Sequence, residues 1–110
     1  MNDILTECFP LYRGDDYVFH GWDDGAEKNV IGFYNRQKIN PQEPDLRLFY
    51  TSASGREEKP FLSLWLKTSR TGRKYLIGNS DGVCYVGLIH FNRLDDSEPY
   101  LTIYYVIKAN

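Results

Sequence analysis

The chain has 110 residues, 15% of them aromatic, and a formal net charge of −2. That length suits one domain with a modest core of its own. Cys8 and Cys84 are too few for a disulfide scaffold and have no metal-ligand spacing, and no run is apolar for long enough to span a membrane.

In chain order, residues 2–9 suit a short N-terminal helix. Asp3 would cap it, Ile4, Leu5 and Cys8 would line one side, and Pro10 would stop it. The first residues carry no basic segment followed by an apolar run, so no signal peptide is expected. A cytoplasmic location and a reducing compartment follow as expectations. Residues 17–22 are the first short strand, halted by Asp23-Asp24-Gly25. Residues 28–35 are the next, with Gly32 marking a bulge or bend. Pro41 and Pro44 make 38–45 a polar loop. Residues 46–51 alternate as a strand, with Leu46, Leu48 and Tyr50 on one side and Arg47 and Phe49 on the other. A polar loop over 52–59 follows.

Residues 61–89 are the organising stretch: three strands joined by turns at 69–72 and 79–82, each ending in Gly. Setting Lys67 opposite Lys74, and Gly78 opposite Val83, puts Leu62, Leu64, Leu66, Tyr75, Ile77, Cys84, Val86 and Leu88 on a core face. The other face then carries Ser63, Trp65, Lys67, Lys74, Leu76, Gly78, Tyr85 and Gly87. An acidic loop over 92–99 precedes a last strand, 100–107, with Leu101, Ile103, Tyr105 and Ile107 inward. The chain therefore reads as all-β, with six to seven strands in a single domain. It forms either a small antiparallel barrel of the oligonucleotide-binding type or a two-layer β-sandwich.

Charge is uneven. Residues 59–80 hold five basic side chains and no acidic one, which leaves −7 on the rest of the chain. No catalytic constellation stands out. His20 and His90 have no nucleophile beside them, neither cysteine has motif context, and the acid pairs match no calcium loop. The chain reads as a non-enzymatic binding domain with no cofactor and no metal. Its proposed ligand is single-stranded nucleic acid, bound by aromatic platforms and cations on one sheet face: Arg47, Phe49, Trp65, Lys67, Lys74 and Tyr85, with Arg70 and Arg73 at the hairpin tip. One alternative is a protein-interaction module, a small inhibitor or adaptor meeting a basic partner through Asp15, Asp16, Asp23, Asp24, Asp95, Asp96 and Glu98. Another is a small-molecule binder in a barrel mouth.

The runs Pro44-Asp-Leu-Arg-Leu-Phe49 and Leu64-Trp-Leu-Lys-Thr-Ser-Arg-Thr-Gly-Arg-Lys-Tyr-Leu76 resemble a family of small bacterial, plasmid and phage proteins. Its members share a Pro-Asp-aromatic-Arg strand and a Trp-Lys-Lys-Thr-Ser-x-x-Gly-x-x-Tyr-Leu hairpin. The likeness covers residues 44–77. It implies a small β-fold in a bacterial or mobile-element setting, and it carries no catalytic residue over to this chain.

Overall fold

A computed structural model describes residues 3–108 and contains nine strands and no helix. The strands are β1 (Ile4–Arg13), β2 (Val18–Asp23), β3 (Lys28–Tyr34), β4 (Leu46–Ser52), β5 (Gly55–Arg56), β6 (Leu62–Thr68), β7 (Lys74–Ser80), β8 (Val83–Ile89) and β9 (Leu101–Ile107). All pairs are antiparallel, and the order β3-β2-β1-β9-β8-β7-β6-β4-β5 closes through β3–β4. Eight strands thus form a closed barrel in which each strand lies beside its neighbour in sequence, with β5 a two-residue return on the end of β4. Closure leaves the ladder no long open edge. The small antiparallel barrel is the expected architecture that forms; the sandwich is not.

The N-terminal helix expected over residues 2–9 does not form; residue 2 lies outside the described residues. Residues 4–13 are strand β1, paired with β9 from Ile4↔Ile107 to Leu11↔Leu101. An isolated helix of eight residues is marginal in water, whereas a strand here satisfies the backbone of β9 as well as its own. Cys8 is the extra residue of a bulge between Glu7 and Phe9. Gly32 makes no bulge: it pairs regularly with Leu48 and faces the interior, where the Leu48 side chain fills the space a Cβ would need.

Leucines fill the barrel. Leu11, Leu46, Leu48, Leu64, Leu101 and Ile103 are almost wholly shielded from solvent, with Val30, Phe9, Phe19, Leu62 and Leu76 completing the cluster. They come from alternate positions of successive strands, as a pleated wall requires.

The central register differs from expectation. Thr68, not Lys67, faces Lys74, so Leu66 pairs with Leu76. The Ser69 N–H donates to the Arg73 carbonyl (2.8 Å) and the Gly72 N–H to the Ser69 carbonyl (3.0 Å), which closes the loop one residue later than expected. At the next turn Asp81 (φ 51°) and Gly82 (φ 79°) are both left-handed, and Ser80 pairs with Val83. That is a two-residue turn of the kind Asp-Gly favours. The one-residue slip exchanges faces on β7 and β8. Leu76, Gly78, Tyr85 and Gly87 face inward. Tyr75, Ile77, Cys84, Val86 and Leu88 line the outside.

Candidate functional site

Strand direction sorts the loops into two ends. One end gathers loops 14–17, 35–45, 69–73 and 90–100; the other gathers 24–27, 53–61 and the 81–82 turn. Each end has a mouth.

The first mouth is a cavity of about 400 Å³. Phe19, Leu46, Leu76 and Leu101 form its floor, Tyr17, Tyr34 and Tyr100 its walls, and Arg13 and Lys74 its cationic rim. No carboxylate lines it. Tyr17 sits in the turn between β1 and β2, where the Val18 N–H donates to the Asp15 carbonyl (3.0 Å). Asp16 (φ 55°) and Tyr17 (φ 62°) are both left-handed. For a bulky residue this conformation costs roughly 1–3 kcal/mol, and such strain gathers at ligand-contact sites. Tyr17 is nonetheless 40% exposed. Its ring stacks near Tyr34 (6.3 Å between centroids), with the Arg36 guanidinium 4.4 Å and that of Arg13 5.9 Å from its centre. Burial, first, and the charge of Asp45, second, push the Tyr34 hydroxyl above its ordinary value, so it stays a neutral donor.

Beside this mouth runs an open groove of about 700 Å³ between the 69–73 loop and the 90–100 loop. Arg73, Lys74, His90, Phe91, Arg93 and Glu98 line it, and Lys74 and Ile89 belong to both groove and mouth. Phe91 is 60% exposed, with the Arg73 guanidinium 5.8 Å from its ring centre. Two cations at this end are neutralised, Lys38 by Asp45 (3.3 Å) and Arg93 by Asp96 (2.7 Å). Arg13, Arg36, Arg70, Arg73 and Lys74 have no carboxylate partner among the described residues.

The sheet face expected from the sequence does not assemble. Trp65 and Tyr85 lie on opposite sides of the barrel wall. Trp65 is on the outside, where its Nε1–H donates to the Gln42 carbonyl (2.9 Å) and pins the 35–45 loop to β6. Tyr85 faces inward at the far mouth. Phe49 is outside but only 6% exposed, because β5 carries the Arg56 guanidinium to 4.4 Å from its ring centre and Phe33 packs edge-on against it. Arg47 shares that separate outer patch. Lys67 is exposed on the outer wall opposite Tyr75. Of the eight residues, Arg70, Arg73 and Lys74 come together at one end of the barrel. Lys74 does so because the register slip turns it inward, onto the rim, where its Nζ also donates to Thr68 Oγ1 (2.7 Å). Arg13, Tyr17, Tyr34, Arg36, Phe91 and Tyr100 complete the constellation and were not anticipated. The one available signal was Phe91, an aromatic set in a polar loop.

The acidic residues mostly hold their own loops. Asp95 accepts hydrogen bonds from the Ser97 N–H and hydroxyl, which keep its carboxyl below the ordinary range. Asp96 pairs with Arg93, and Glu98 accepts from the Leu94 N–H. Asp24 accepts from Trp22 Nε1–H (2.7 Å). Asp23 accepts from the Gly25 N–H (3.1 Å) and from the Tyr50 hydroxyl (2.8 Å). Asp15 and Asp16 are exposed in their turn.

The Asp23–Tyr50 bond lies in the second mouth, beside Cys8, Ser80 and Tyr85. Burial, then the hydrogen bond to Asp23, push the Tyr50 hydroxyl well above its ordinary value. Burial likewise raises Cys8 and Tyr85. A raised tyrosine keeps its proton longer in the folded state than in the unfolded chain. Its stabilisation is therefore complete below about pH 10 and is lost as pH climbs towards the folded value. The urea midpoint is expected to hold up to about pH 10 and to fall as pH rises above it, and Tyr50→Phe to flatten part of that fall. An equally steep decline in the variant would show that Tyr50 is not its source.

Among the described residues, no group of three or more His, Cys, Asp or Glu side chains converges as a metal site, and no helix is long and apolar enough to cross a membrane. No family model, curated protein or solved structure matches the chain.

Proposed function

We propose that the protein is a non-enzymatic binding module for single-stranded nucleic acid, and that the strand lies across the basic end of the barrel rather than on a sheet face. One observation carries the reading. Tyr17 is held exposed and strained beside two arginines at a mouth rimmed by cations, and a groove with a second exposed ring, Phe91, leads into it. Single strands are held by rings that stack bases and cations that follow the backbone. Here the rings and the unpaired cations share one surface. Cys8 and Cys84 are both free thiols, which fits a cytoplasmic setting.

The test is fluorescence anisotropy with a labelled oligothymidylate of about 15 nucleotides. Affinity in the micromolar range is expected at about 50 mM salt, falling steeply by about 200 mM because counterions released into a saltier solution gain less entropy. Arg70→Ala and Arg73→Ala should each lower the salt slope by about 1. Tyr17→Ala should weaken binding about 5- to 150-fold, the range for losing one base stack. Trp65→Ala should weaken binding less than Tyr17→Ala, because Trp65 lies on the outer wall and reaches the site only through the 35–45 loop that it clamps. Absence of binding at low salt removes the reading.

A protein-interaction module is the second reading, favoured by the outer wall rather than by the acidic loops. Trp65, Ile77, Val86 and Tyr104 form a continuous row across four strands, bordered by the exposed Leu88. A single stoichiometric protein partner, retained after nuclease treatment, would select it.

A further inference from the structure

The mouth and the groove are continuous. A chain lying in the groove against Phe91 and Arg73 passes Lys74 and Ile89, and both of these also line the mouth. At that point it stands over an open cavity of about 400 Å³, within the size range of pockets that enclose small ligands. An apolar floor alone would suit an alkyl chain as well as a ring. The walls decide between them. The hydroxyls of Tyr34 and Tyr100 make no hydrogen bond to any described residue, so an occupant with polar edges gains partners that a hydrocarbon cannot use. Arg13 and Lys74 also line the mouth and offer cations to a phosphate joined to such an occupant.

We infer that the mouth is a nucleotide pocket, taking one unstacked base between Tyr34 and Tyr100 with its phosphate held by Arg13 and Lys74. This rests on the strand-binding reading and adds to it. The groove holds the backbone, and the barrel end reads a single base that leaves the strand. Displacing a base from its neighbours is least costly in a strand that is already unpaired. The same chemistry is offered by a free mononucleotide, so the two sources need separate arms.

Calorimetry with adenosine monophosphate, with the oligothymidylate and with dodecanoate tests it. Adenosine monophosphate is expected to bind one per chain. Leu66 also lines the mouth, and Leu66→Trp fills the cavity without changing charge. It should weaken mononucleotide binding by more than about tenfold and strand binding by about 5- to 150-fold. Tyr34→Phe removes only a hydroxyl and should weaken the mononucleotide about 2- to 10-fold, so it serves if the larger substitution fails to fold. Strand binding that is intact in Leu66→Trp, with no mononucleotide binding to the wild type, overturns the pocket and leaves the strand reading standing. Mononucleotide binding without strand binding supports the pocket and replaces the strand by a free nucleotide. Dodecanoate binding that Leu66→Trp abolishes, with no nucleotide binding, overturns the inference in favour of an apolar acid.

Discussion

Gly78→Ala is expected to abolish the barrel or to lower its stability by more than about 3 kcal/mol, beyond the usual range for an added methyl group. Gly78 faces inward on β7, and a Cβ built there would stand 2.0 Å from the Ser63 carbonyl oxygen and 3.2 Å from Leu64 Cδ2. The nearer neighbour is backbone, so it cannot swing away as the end of a side chain can. Relief requires β7 to move off β6, and that disrupts pairing from Trp65↔Ile77 to Thr68↔Lys74. Gly25→Ala is the comparison. It is exposed, and its nearest neighbour would be the Asp23 carboxylate at 3.4 Å, so the change should stay within about 0.5 kcal/mol. Urea unfolding of both variants decides the matter. A Gly78→Ala protein within about 1 kcal/mol of wild type would mean that the wall is looser than this contact requires.

Leu64→Ala is expected to cost about 3–5 kcal/mol with the denaturant slope unchanged. Leu64 is 0% exposed, pairs with Leu46 across β4–β6, and lies in the cluster with Leu48, Leu62 and Leu76. A closed wall of paired strands cannot collapse far into the space left behind, so much of the cavity should persist. That loss is a large share of the roughly 5–15 kcal/mol available to a domain. Leu94→Ala removes the same atoms from a side chain that is 91% exposed and should change stability by less than about 0.5 kcal/mol. Similar losses in the two variants would contradict the inward assignment of the even-numbered residues of β6.

Those leucines were the most legible part of the sequence. Leu62, Leu64 and Leu66 alternate cleanly, as do Leu46 and Leu48 and then Leu101 and Ile103, and each set faces inward. An all-β chain with turns at Gly72 and Gly82 could be read from local chemistry alone. What local chemistry did not supply was the pairing count across each turn. At 69–73 the register depends on which backbone N–H closes the loop, and one residue of difference carried Lys74 and Tyr85 through the wall. At 81–82 the Asp-Gly pair is itself a two-residue turn signal, and treating 79–82 as a four-residue turn concealed it. The candidate site was less legible still. Its parts come from Arg13 and Tyr17, from Tyr34 and Arg36, from Arg70 to Lys74 and from Phe91, segments that only ring closure brings to one end. Nothing in the composition around Tyr17 announces that an aromatic residue occupies a left-handed turn position.

The pairing of β1 with β9 has a consequence for how the chain acquires its structure. The wall is complete only when the first strand meets the last, a contact between residues about a hundred positions apart. Every other seam except β3–β4, β4–β6 and β8–β9 joins strands linked by a short hairpin or loop and can form early. Until residues 101–107 have been synthesised and have docked, the leucine-lined inner surface stays open to water along two unpaired margins. Folding should therefore be limited by that final long-range seam, and the newly made chain should be most vulnerable to association with its neighbours just before it closes.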